Sequence, residues 1–159
     1  MTRPMDAYLF LKNLHLIGVV IFVGNILVTA WWKVMADRTR DPKIVAFAQR
    51  QVSLTDWVFT LSGVVLVAVG GIGNAYLHDI PMTTPWIALG TALFAASGLI
   101  WIAILIPLQT RLARMAREFA TAPAIPERYW RLERWWGIFG SLAMLLPLAN
   151  LVVMVFKFA

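Results

Sequence analysis

The stretch NLHLIGVVIFVGNILVTAWW, Asn13–Trp32, runs for 20 residues without Asp, Glu, Lys or Arg. About 20 predominantly apolar residues are what a helix needs to cross the hydrocarbon core of a bilayer. Three further runs, residues 57–77, 80–110 and 135–156, are equally free of these charges. In hydrocarbon no water satisfies the backbone, so a spanning segment must be helical or belong to a closed barrel. These runs do not alternate apolar and polar residues, which removes the barrel. The expectation is an all-α, polytopic membrane protein with four spans in one domain over residues 1–159.

Composition agrees. Of the 159 residues 60% are hydrophobic and 14% are charged. A soluble chain of this length could not bury that much apolar surface. Val28-Thr29-Ala30 resembles a signal-peptide cleavage site, but the apolar run is too long for the core of such a signal, so the first segment reads as a true span. With no cysteine in the chain, disulfides, thiolate ligands and iron–sulfur clusters are excluded.

The net charge is +6. Lys33, Arg38, Arg40, Lys43 and Arg50 lie between the first two runs, and Arg111, Arg114, Arg117, Arg128, Arg131 and Arg134 between the last two. The connection over 78–85 has no Lys or Arg. This is the positive-inside pattern, which places both long connections in the cytoplasm and both termini outside. Anionic lipid headgroups are the ordinary partners of such basic residues, and nucleic acid is not an expected one.

Punctuation falls where helices should end. Asp41-Pro42 reads as an N-cap followed by the first helical residue, and Pro123 and Pro126 bracket the turn after the third run. The helices are expected at roughly 6–36, 42–77, 84–120 and 126–158, and three of them are expected to project past the cytoplasmic lipid surface as short stalks. Trp31, Trp32, Trp57, Trp130, Trp135 and Trp136 gather at that boundary and Trp86 at the outer one, as an aromatic belt does. Short connections favour an antiparallel four-helix bundle.

Small and polar residues recur at helical spacing: Tyr8, His15, Gly18, Phe22, Asn25 and Thr29 in the first span, Asp56, Thr60, Gly63, Val67, Gly70 and Asn74 in the second. Gly90, Phe94, Ser97 and Trp101 follow in the third, and Gly137, Gly140, Met144 and Pro147 in the fourth. Such stripes are ordinarily packing seams. His15 asks for more, because ionisable groups inside a span face a partner, a cavity or a cofactor. It lies about two turns inside the apolar segment that starts at Ala7, too deep to reach the surface as Lys12 can by snorkelling. A neutral imidazole is a common axial ligand for haem iron, and Gly18, one turn on, leaves room for a flat macrocycle. His78 reads as a loop residue or a second ligand, with Met82 and Met154 as rivals. Asp56 reads as a cap or as the partner of a stalk arginine. No hydrolytic triad, paired-carboxylate site or phosphate-cradling loop is present; Gly70, Gly71 and Gly73 lie inside a span.

Several of these segments resemble a bacterial family of four-span membrane proteins known as domain of unknown function 2269: LKNLHLIGVVIFVGN, LTDWVFTLSGVVLVAVGGI, MTTPWIALGTALFAASGLIWI, RLARMAREFA and RYWRLERWWGIFG. The family implies the bacterial inner membrane and assigns no activity. More distantly, the first span is similar to the HemJ-type protoporphyrinogen oxidases and their copper-resistance membrane relatives. Lys12, Leu14 and His15 match a Trp-x-Lys-x-Leu-His motif whose histidine is implicated in haem b binding, with Phe10 in place of the tryptophan. Lys157 matches a lysine near the end of the last span, while Phe158 replaces the proline after it. The third-span lysine of that family has no counterpart in 86–107.

The resemblance implies a haem b or porphyrin-binding protein of redox or electron-transfer role. His15 would be the axial ligand, Lys12 would neutralise a propionate or the field near the iron, and an electron-transfer partner or a second copy of the chain is implied. Two alternatives stay open: a non-catalytic membrane subunit or small transporter without cofactor, and a copper site using His15 with methionines.

Overall fold

The structure, a computed structural model, describes residues 4–157. It is all-helical, with four long helices: α1 (Pro4–Thr39), α2 (Pro42–Leu77), α3 (Pro85–Phe119) and α4 (Glu127–Phe156). All four are long and apolar enough to cross a bilayer. Their bounds follow the expected ones to within a few residues; the expected end at Phe158 lies outside the described residues. At one end of the bundle the helices run on past the charge-free segments as stalks, and the two basic connections lie there.

Local chemistry explains the ends. The Asp41 carboxylate accepts from the backbone N–H groups of Lys43 (2.8 Å) and Ile44 (3.1 Å), and Pro42 fills the first helical position, where no donor is missed. Left-handed residues that are not glycine follow α1, α2 and α4: Arg40, Asp79 and Lys157. That conformation costs a non-glycine residue on the order of 1 kcal/mol. At Arg40 the side chain gains a cation–π contact, its guanidinium 4.4 Å from the Trp130 ring centroid.

Two helices contain one widened turn each. In α2 the Leu61 N–H reaches back five residues to Asp56 O, and in α3 Ile106 N–H does the same to Trp101 O. The second has a visible cause. Pro107 has no N–H and its ring crowds the carbonyl four residues back, so the turn before it opens. Pro147 raises the same problem in α4, where it strips the Ala143 carbonyl of its helical donor. The Ser97 hydroxyl of α3 supplies the replacement at 2.8 Å, buried between the helices.

α1 packs along α2, and α3 along α4, as two antiparallel hairpins. The α1–α2 seam is made by glycines whose missing side chains let backbones touch: a Cβ on Gly63 would sit 2.8 Å from Phe22 N, and one on Gly70 2.6 Å from His15 N. Of the stripe expected in the fourth span, Gly137 and Gly140 face open space, whereas Met144 is half-buried and Pro147 buried. The hairpins join through the stalks, where Val45, Leu112, Ala116, Phe119 and Tyr129 form a buried core. Toward the opposite end they diverge: the half of α2 beyond Thr60 makes no close backbone contact with α3 or α4.

Candidate functional site

His15 sits on the α2-facing side of α1, half-buried, with its Nδ1 2.8 Å from the Val67 carbonyl. A carbonyl only accepts, so in a neutral ring this bond places the proton on Nδ1, and Nε2 is the nitrogen that keeps a lone pair. That second-partner geometry is what orients metal-binding histidines. The glycine that gives the ring its place is Gly71, where a Cβ would lie 3.2 Å from His15 Cε1 and Nδ1. Gly18, expected to leave room for a macrocycle, does not: α2 fills that space, with Leu66 Cβ and Val67 N each 2.7 Å from where a Gly18 Cβ would be. On the same face of α1, two turns on, Phe22 meets Phe94 of α3 edge to face at 6.2 Å, so this face also turns toward the second hairpin.

The other residues named from the sequence fall elsewhere. Lys12 is exposed, with its ammonium 5.5 Å from the Tyr8 ring centroid. His78 packs edge to face on that same Tyr8 ring, 4.7 Å between centroids, so Tyr8 links Lys12 and His78 about two turns from His15. Met154 lies against Gly90 with Asn150. Asp56 accepts from Thr60 Oγ1 (2.9 Å), which in turn accepts from Asn25 Nδ2 (3.0 Å). Thr29 donates to Asn25 Oδ1 at 3.2 Å and completes a polar chain between α1 and α2. No ion pair of Asp56 with an arginine occurs among the described residues. Nor do three or more His, Asp or Glu side chains gather among them to hold a metal.

A second polar centre escaped the sequence reading. Lys33, counted there with the basic residues between the first two spans, is 1% exposed. Its ammonium donates to both Asp37 oxygens (2.7 and 2.6 Å), to Glu133 Oε1 (2.8 Å) and to the Tyr129 hydroxyl (3.4 Å). Tyr129 OH donates to Gln49 Oε1 at 3.2 Å, and Gln49 is fully buried. One lysine therefore ties α1, α2 and α4 together in the stalk. The only sequence signal was the i,i+4 pair Lys33–Asp37, which is common on exposed helix faces.

The arrangement offers one oriented imidazole in the membrane half away from the basic loops and one buried ionic lock in the stalk. Residues 9–158 match the family described as predicted integral membrane protein (DUF2269). No curated protein and no solved structure matches the chain. The chain belongs to the DUF2269 family of predicted integral membrane proteins.

Proposed function

We propose that this protein binds b-type haem or a related porphyrin in the membrane, with His15 as the axial ligand, and serves electron transfer or porphyrin redox chemistry. The observation that carries the reading is the 2.8 Å contact of His15 Nδ1 with Val67 O, which presents Nε2 for coordination. The match of Lys12, Leu14 and His15 to the HemJ-type motif points the same way. Gly71 gives the ring its place, and on this side the half of α2 beyond Thr60 makes no close backbone contact with α3 or α4. A bound iron would supply one-electron chemistry; the chain's part is to hold the imidazole in one tautomer and to exclude water. A pyridine haemochrome assay on protein purified in mild detergent, with ample haem during expression, tests this. Stoichiometric haem in the wild type and its loss in His15→Gln is the expected result, since glutamine can still donate to Val67 O. Equal haem in both, or none in the wild type, refutes the reading.

The second reading is a cofactor-free membrane subunit or small transporter, in which His15 is a clamp between α1 and α2. It is favoured by the backbone contacts at Gly18, Gly63 and Gly70, which make that pair a rigid unit. A copper site at His15 with methionine thioethers would instead show bound metal without porphyrin.

In either reading the basic connections face the cytoplasm of a bacterial cell and both termini lie outside, supported by the placement of Lys and Arg. Reporter fusions after His78 and after Ala122 are then expected on opposite sides, outside and inside. The same side for both overturns this topology.

A further inference from the structure

The two widened turns face each other. The turn Asp56–Thr60 of α2 and the turn Trp101–Leu105 of α3 bring the Trp57 and Trp101 rings to 6.2 Å between centroids, tilted by 56°. Beside them is a cavity of about 160 Å³ whose lining includes Ser53, Asp56, Trp57, Trp101, Gln109 and Arg117. Widened turns of this kind recur at functional sites, because they redirect side chains out of helical register.

The chemistry of the lining is specific. The Asp56 carboxylate accepts from Thr60, and the side chains of Gln109 and Trp101 also face it; all three are neutral. The buried Trp101 N–H has no partner at hydrogen-bond geometry, and the side chain it faces is Asp56. Asp56 forms none of the ion pairs found among the described residues. A carboxylate whose partners are all neutral can take a cation as its counter-charge, and indole faces attract one. Arg117 lines the same cavity and is exposed; it stands eight residues, about two turns, beyond Gln109 on α3. A guanidinium there is suited to a phosphate. Asp56 directly precedes the charge-free run 57–77, and Gln109 lies in the last turn of the run 80–110. The cavity is therefore at the level of the lipid headgroups on the basic side.

From this we infer that the cavity binds a primary ammonium–phosphate headgroup, as in phosphatidylethanolamine. The ammonium sits by Asp56 beside the Trp57–Trp101 pair, and the phosphate is paired with Arg117. A primary ammonium suits the site better than a quaternary one because Asp56, Gln109 and Ser53 offer hydrogen-bond acceptors. This inference does not depend on haem.

Tryptophan fluorescence of the purified full chain, titrated with short-chain phosphatidylethanolamine, phosphatidylcholine, phosphatidylglycerol and soluble phosphoethanolamine, tests it. The ethanolamine lipid is expected to bind about tenfold or more tightly than either other lipid. Asp56→Asn, which keeps an acceptor for Thr60, and the surface change Arg117→Gln should each lower that affinity by about tenfold. Arg117→Gln keeps the test open if Asp56→Asn fails to fold. Soluble phosphoethanolamine binding as tightly as the lipid keeps the headgroup chemistry and makes the ligand a soluble aminophosphate. Equal binding of all three lipids, or unchanged affinity in a folded variant of either residue, overturns the assignment.

Discussion

Replacing Lys33 with methionine is expected to destabilise the fold by about 3–5 kcal/mol, the cost of removing one partner from a buried ion pair. The ammonium is 1% exposed and stands between the carboxylates of Asp37 and Glu133, whose side chains are 17% and 12% exposed. Without it two acidic groups and the Tyr129 hydroxyl face one another with no counter-charge, and the alternatives are protonation or separation of α1 from α4. Methionine keeps most of the aliphatic stem, so the loss reports charge rather than volume. Adding Glu133→Gln to Lys33→Met should recover a large part of the stability, because one uncompensated charge is gone. Asp37→Asn alone should cost less than Lys33→Met, because Glu133 still pairs with the ammonium. Denaturant titration in detergent micelles measures all three. A Lys33→Met variant within about 1 kcal/mol of wild type, the range of surface pairs, would show that the lysine escapes to solvent.

The second large effect is expected at Gly70. Any side chain there begins with a Cβ 2.6 Å from His15 N and 2.7 Å from Leu11 O, both backbone atoms that no rotamer change can move. Gly70→Val must push α1 and α2 apart, with a loss of about 3 kcal/mol, the upper range for overpacking. The same displacement breaks the His15–Val67 contact, so any cofactor held by His15 should be lost with it. Gly24→Ala is the control: no atom lies within 4 Å of its added Cβ, and alanine favours the helix. Thermal unfolding of both variants decides the matter. Equal melting temperatures would mean that the seam is not close-packed.

Residues 13–32 and the three other charge-free runs determined the number of spans without tertiary information, because the need for about 20 apolar residues is imposed by the bilayer and not by neighbours. Asp41-Pro42 was legible for the same reason: a cap bonds to N–H groups two and three residues away. His15 was legible as a candidate because any ionisable group in an apolar run stands out. Its environment was not. Gly18 and Gly71 read alike in one dimension, and only the packing of α2 on α1 decided that the first is filled by backbone and the second adjoins the ring. Pro147 announced a broken helical bond, but that Ser97 mends it required knowing that α3 lies alongside. Lys33 is the sharpest case. By sequence it is one of several basic residues flanking a span, indistinguishable from Lys43, which stays outside the core. Its burial depends on Tyr129 and Glu133, 96 and 100 residues away, and charges read as solvated until a fold brings their counter-charges to them.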